Sequence, residues 1–284
     1  MDRLRLRSLG WLVFGGYGRK YLLDNENGGD GLGKHRDRGL ERTLQETINS
    51  GKSVWVIGDV HGHILTLKSL IKKLEMSEGD KLVSLGDLID RGADSAAVLR
   101  LFLENPNYHL IRGNHEDLML RCLCKQKRKA CKSWLKYGGL QTLESFGVSP
   151  EEKVALADDW CDFLESAPSE IVLDKHRLVH AGINPARPIQ DQIENDRLWS
   201  RSVFEFNLAP DPQRQVLIGH TPTQEIDGHR SSAPWFSEFT TENGRPAIIA
   251  LDTGIFLEKN QQPKLTALEL RSNKFIQMLK IEDD

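Results

Sequence analysis

Apolar positions change period along the chain, and the changes divide it into elements. Three short runs, Val54-Trp55-Val56-Ile57, Leu82-Val83-Ser84-Leu85 and Leu110-Ile111, are continuous rather than alternating, and each leads to a glycine, at 58, 86 and 113. This is the pattern of parallel strands buried on both faces that stop at a tight turn. After the first run, Ile64, Leu67, Leu70, Ile71 and Leu74 recur at three- and four-residue steps, so one face of a helix is apolar there. The order predicts β-α-β-α-β. Residues 117–165 keep a helical period, broken at Gly138-Gly139, and read as a helical insertion over one side of the domain. From Glu170 strands return, at 170–173, 177–180, 215–220 and 247–251, and residues 265–281 alternate as two edge strands around Ser272-Asn273. The predicted class is α/β of mixed pairing, with two stacked mixed β-sheets flanked by helices.

Residues 1–50 stand apart from this pattern. They hold a weakly apolar start and a Gly-rich, charged stretch ending near Arg38, and are expected to form a mobile extension with a short helix over 40–48. Residues 51–284 are expected to form one catalytic domain, since no linker divides them. The arginines of Met1–Arg7 and the apolar Leu9–Phe14 imitate a signal peptide, yet the apolar core is short and no small-residue cleavage pattern follows. No run approaches the ~18 apolar residues of a spanning helix. The expectation is cytoplasmic, without a membrane segment.

Composition narrows the function classes. With 28% charged residues and a net charge of −3, the chain carries no nucleic-acid-binding signature, which would need a basic excess. Its four cysteines, at 122, 124, 131 and 161, match neither a disulfide framework nor a zinc ribbon. Reduced thiols are expected, with a redox role for the Cys122/Cys124 pair as the alternative.

Ligands gather at the carboxyl ends of parallel strands. That rule brings Asp59, His61, Asp87, Asp90, Asn114 and His115 to one sheet edge, and His180 and His220 end two later strands. Carboxylates mixed with imidazoles suit Mn, Fe or Zn better than Ca. Two such ions can share an activated hydroxide and clamp a phosphoryl group. The set divides into Asp59 and His61 for one ion, Asp87 as bridge, and Asn114, His180 and His220 for the other. His115, turned away from the metal by strand alternation, is then free to protonate a leaving group, with Asp90 holding its other nitrogen. Arg91 offers a planar fork to phosphate oxygens, and Arg201 a second one.

The blocks Gly58-Asp59-Val60-His61-Gly62, Gly86-Asp87-Leu88-Ile89-Asp90-Arg91-Gly92 and Gly113-Asn114-His115-Glu116, followed by His180-Ala181-Gly182 and Gly219-His220-Thr221, occur in order. They resemble the signature of the PPP phosphoprotein phosphatases, and Tyr137-Gly138-Gly139, Trp199-Ser200-Arg201 and Leu251-Asp252-Thr253-Gly254 look like the bacterial and bacteriophage members. The resemblance implies a calcineurin-like metallophosphoesterase fold and a dinuclear metal centre. It also implies a serine/threonine phosphatase acting on phosphoproteins or small phosphoesters, with His115 and Asp90 as the acid and its partner. Alternatives within the superfamily are a diadenosine tetraphosphate hydrolase or a nucleotide or RNA phosphatase. The tetraphosphatases typically lack the aspartate before Arg-Gly and carry Asp where Glu116 stands. A scaffold with a decayed site is the non-enzyme alternative, but no ligand is lost.

Overall fold

The computed structural model describes residues 34–282 and 284. Two five-stranded sheets face each other. The first has the order β10-β9-β1-β2-β3, built from β1 (Val54–Ile57), β2 (Lys81–Ser84), β3 (Tyr108–Leu110), β9 (Lys264–Glu269) and β10 (Phe275–Leu279). The second has the order β4-β5-β6-β8-β7, from β4 (Glu170–Val172), β5 (His176–Val179), β6 (Gln215–Ile218), β7 (Trp235–Phe236) and β8 (Ile248–Ala250). β1, β2 and β3 are mutually parallel, as are β5, β6 and β8.

The continuous apolar runs follow from burial on both sides. In β1, Val54 and Val56 enter the core between the sheets, where they join Val83, Leu178, Leu217 and Ile249. Trp55 and Ile57 point the other way, into a core shared with Leu67 and Leu70 of helix α2 (Ile64–Leu74) and with Leu99 of helix α3 (Ser95–Glu104). Side chains alternate across a strand, so a strand between two cores shows no polar face. The second sheet is covered outside by a third core that includes Val203, Ile218, Ile226 and Ile248.

Three sequence expectations change. Strand β9 is not an edge: it lies between β10 and β1 and pairs with β1 in antiparallel fashion, with Leu268, Ala267 and Leu265 buried. The short helix expected over 40–48 is present as helix α1 (Arg38–Asn49), but it is packed rather than part of a mobile extension, with Leu44 fully buried in the intersheet core. Residues 1–33, which carry the signal-like start, lie outside the described residues. The cysteines are not free thiols: Cys122 is bonded to Cys131 and Cys124 to Cys161. Their partners were hidden because pairing is made by tertiary packing. Helix α4 (Asn114–Leu123) meets α5 (Arg128–Trp134) and α7 (Ala157–Ser166), with α6 (Leu140–Ser145) between them in sequence.

Candidate active site

The six parallel strand ends converge on one rim. Asp59 follows β1, Asp87 follows β2 and Asn114 follows β3, while His180, His220 and Asp252 follow β5, β6 and β8. The turns that aim these residues are unusual. His61, Asp87, Asp90, Arg91 and His220 all have φ between 47° and 75°, a left-handed conformation that costs a non-glycine residue ~1 kcal/mol or more and gathers at functional sites. Two glycines leave room for the carboxylates. A Cβ on Gly113 would stand 2.2 Å from Asp87 Oδ1, and one on Gly219 would stand 2.2 Å from Asp59 Oδ1.

Asp87 sits at the centre. Its Oδ1 lies 3.4 Å from His180 Nε2, and its Oδ2 lies 3.7 Å from His61 Nε2 and 3.8 Å from His115 Nε2. The two oxygens therefore face different groups. His61, Asp87 and His115 form one set able to hold a cation, and Asp87, His180 and His220 form another. Asn114 Oδ1 completes the second, 2.7 Å from His180 Nε2 and 2.9 Å from His220 Nδ1. Asp59 lies outside these two sets but on the same rim, and both its oxygens are 3.1 Å from the backbone N–H of His220. His61 Nδ1 donates to Ile89 O and His180 Nδ1 to Leu85 O, each at 2.8 Å, which turns both Nε2 atoms toward Asp87.

His115 is held from its far side. Asp90 Oδ2 lies 2.6 Å from His115 Nδ1, while Asp90 Oδ1 accepts from Trp134 Nε1 at 3.0 Å and from Thr142 Oγ1 at 2.6 Å. The expected reason for its orientation is corrected here. Asn114 and His115 open helix α4 rather than end a strand, so they diverge by the helical step of ~100°. Glu116, in the same turn, accepts from the N–H groups of Gly113, Asp87 and Leu88 at 2.9, 2.9 and 2.7 Å. It ties the second block to the third. Arg112, fully buried, pairs with Glu194 and Asp117.

Arg91 spans the two histidines, with Nη1 3.0 Å from His61 Nε2 and Nη2 3.1 Å from His115 Nε2. Its guanidinium lies 3.8 Å from the centre of the Phe256 ring, a stacking contact. Arg91, Arg201, His115, His220, Glu225 and Phe256 are among the residues lining a cleft of about 300 Å³ over the strand ends. Sequence reasoning missed Trp134, Thr142, Glu225 and Phe256, because none belongs to a recognisable block.

Electrostatics favour cations here. Burial, with Asp252 and Asp87 nearby, pushes the Asp59 carboxyl well up. Burial likewise raises Asp252 and Glu116 to about 7, and Oδ2 of Asp252 is buried with no hydrogen-bond partner among the described residues. Burial would raise Asp87 too, but His180, His115 and His61 outweigh it and hold its pKa low. Burial lowers His61 and His180, and lowers His220 to about 3, so these rings are neutral donors near pH 7. His115 differs: burial lowers it, but Asp87 and Asp90 prevail and its pKa rises. Crowded carboxylates beside neutral imidazoles and an amide oxygen are a donor set that fits divalent ions.

The calcineurin-like phosphoesterase family model matches residues 52–258, which hold all of these groups. The chain belongs to that family. It is 38% identical over 180 residues to serine/threonine-protein phosphatase 1 of Salmonella typhimurium, covering 60% of this chain and 79% of that one. Serine/threonine-protein phosphatase 2 of Escherichia coli is 38% identical over 103 residues, 35% of this chain and 45% of that protein, so the match spans less than half of that relative. An asymmetrical bis(5'-nucleosyl)-tetraphosphatase of Halalkalibacterium halodurans is 27% identical over 197 residues, 60% of this chain and 78% of it. Among solved structures, a protein serine/threonine phosphatase from Saccharomyces cerevisiae shares the fold with a TM-score of 0.52 and 15% identity, over 88% of this chain and 83% of that one. No helix among the described residues of this phosphoesterase is long and apolar enough to cross a membrane.

Proposed function

We propose that the chain is a metal-dependent phosphomonoesterase of the serine/threonine protein phosphatase type. The observation that carries the reading is the held acid: His115, gripped by Asp90 at 2.6 Å, lies 3.8 Å from the central Asp87 and opens with Arg91 and Arg201 onto one cleft. A phosphoanhydride expels a phosphate, which needs less help, whereas the alkoxide of an alkyl ester needs a proton.

Asp59 and His61 would hold one divalent ion, Asn114, His180 and His220 the other, and Asp87 both. Such a pair supplies Lewis acidity, lowering the pKa of a water and offsetting phosphoryl charge; Mn suits this donor set, and Fe or Zn are the other candidates. Arg91 and Arg201 bind the phosphoryl oxygens through planar N–H forks. His115 Nε2 gives its proton to the leaving oxygen, while Asp90 keeps the opposite nitrogen protonated and the ring aimed. The guanidinium of Arg91, stacked on Phe256, must first leave His61 Nε2, the nitrogen His61 would offer to an ion, and His115 Nε2, which cannot carry the acid's proton while it accepts from Nη2. The tetraphosphatase relative supplies the second reading, in which the same clamps would grip a polyphosphate. Glu225 at the cleft disfavours it, because a carboxylate there repels further phosphates.

The test uses the full chain with Mn against p-nitrophenyl phosphate, a phosphoserine peptide and diadenosine tetraphosphate. The peptide and p-nitrophenyl phosphate are expected to be hydrolysed and chelation to abolish both activities. Faster turnover of diadenosine tetraphosphate than of either monoester would overturn the reading.

A further inference from the structure

Residues 125–136, Lys-Gln-Lys-Arg-Lys-Ala-Cys-Lys-Ser-Trp-Leu-Lys, carry six positive charges and no acidic residue in a chain of net charge −3, so the remainder carries −9. Lys125, Lys127, Arg128, Lys129, Lys132 and Lys136 are all exposed. Lys125 is engaged with Glu165 at 3.1 Å. Lys129, Lys132 and Lys136 follow one another at helical steps of three and four along α5 and the turn after it, and so share one side.

This stripe leads to the active site. Trp134, on the opposite side of the same segment, is fully buried and donates to Asp90. Two residues beyond Lys136, the carbonyl of Gly138 accepts from the N–H of Arg91 at 3.4 Å. Tyr137 and Leu140 are 45% and 50% exposed beside it. The segment is also fixed. Cys122–Cys131 and Cys124–Cys161 bind its start to α4 and α7, so the charges are held in place before any ligand arrives, which lowers the ordering cost of binding.

We infer that this stripe docks an acidic stretch of the phosphoprotein substrate, flanking the phosphorylated residue. The inference rests on the phosphomonoesterase reading above. A seven-residue helix spans ~10 Å, the length of about three extended residues. The matching acidic side chains would therefore begin within a few residues of the phosphoryl group and continue away from it. A protein segment fits better than a nucleic acid, because the basic surface is one short element in a chain whose remainder is acidic, and it is not continued into a track among the described residues. Charges of this kind act through steering and weak exposed pairs.

The experiment compares phosphoserine peptides that differ only in having acidic or alanine flanks, on wild type and K129E/K132E/K136E, with p-nitrophenyl phosphate as reference. Wild type should prefer the acidic peptide by about ten-fold in kcat/KM at low salt, three exposed pairs each giving a factor of about two, and lose the preference in 0.5 M salt, roughly the range where exposed charges are screened. The triple variant should lose or invert it with p-nitrophenyl phosphate turnover unchanged. If charge reversal impairs p-nitrophenyl phosphate turnover, the glutamine triple variant takes its place in the same comparison. Equal rates on the two peptides in wild type, or a preference that survives in the variant, would overturn the inference. So would inhibition by single-stranded RNA or anionic vesicles that depends on the three lysines without peptide discrimination. If neither peptide is hydrolysed while p-nitrophenyl phosphate is, the phosphoprotein reading fails, which is a separate result.

Discussion

His115 is defined by what holds it. A buried imidazole ordinarily loses its proton, yet here Asp87 and Asp90 raise its pKa, and Asp90 is itself fixed by Trp134 and Thr142. His115→Asn should therefore slow alkyl phosphates such as phosphoserine by ~10²–10⁴-fold, and aryl phosphates such as p-nitrophenyl phosphate far less. Trp134→Phe removes one donor to Asp90 and leaves Thr142, so it should show the same bias in weaker form. Steady-state kcat on the two ester classes decides the matter, and equal losses on both would remove His115 from the acid's role. The candidate residues themselves were readable because they stand in short blocks next to glycines. Their support was not. Trp134 and Thr142 lie 44 and 52 residues from Asp90, and Phe256 reaches Arg91 across the chain, so only the folded chain brings them together. The blocks named His115, while the reason for its aim, the first turn of a helix, became visible only with the fold.

At the scale of elements, α4 joins chemistry to scaffold. Its first turn carries Asn114, His115 and Glu116, and at its other end Cys122 and Cys124 are bonded to Cys131 and Cys161. The helical insertion was legible from its period, but its cross-links were not, since each pair depends on how α5 and α7 fold back onto α4. Such bonds persist in oxidising surroundings and are reduced by thiol reagents. Cys131→Ser opens the loop closed by Cys122–Cys131 and should cost about 2–3 kcal/mol, a fall in Tm of about 5–10 °C for a domain of this size. Calorimetry with and without reductant measures it. Wild type under reductant should approach the variant, and an unchanged Tm in both would show that the bond contributes nothing. The variant's turnover at low temperature should stay near wild type, because Asp90 keeps Trp134 and Thr142.

Over the whole molecule, three parallel strands from each of two sheets deliver their ends to one rim, and for the first sheet this followed from apolar runs that lead to glycines. The antiparallel β9 between β1 and β10 did not, because pairing direction leaves no mark on a strand buried on both faces. On β5 and β4 of the second sheet, His176 and Glu170 are two of the groups that couple stability to acid. Burial, with Arg245 and Lys175 nearby, lowers His176 to about 4, and its Nε2 has no partner among the described residues. The unfolded chain then takes up the proton first as pH falls below the ordinary ~6.5. Stability from the neutral ring is complete above pH ~6.5 and drains away between ~6.5 and about 4, by ~2 kcal/mol at pH 5. For Glu170, burial would raise the pKa, but His35 and Arg177 hold it at about 2, so its contribution is lost later, as pH falls from the ordinary ~4.5 toward about 2. Urea unfolding of wild type and His176→Gln across pH 7 to 5 separates the first effect from the rest. The variant should lose less stability over that range, and contributions from Asp59, Glu116 and Asp252 cancel in the difference because both proteins share the site. Wild-type and variant curves that run parallel from pH 7 to 5 would show that the His176 ring takes up its proton in the folded chain as readily as in the unfolded one.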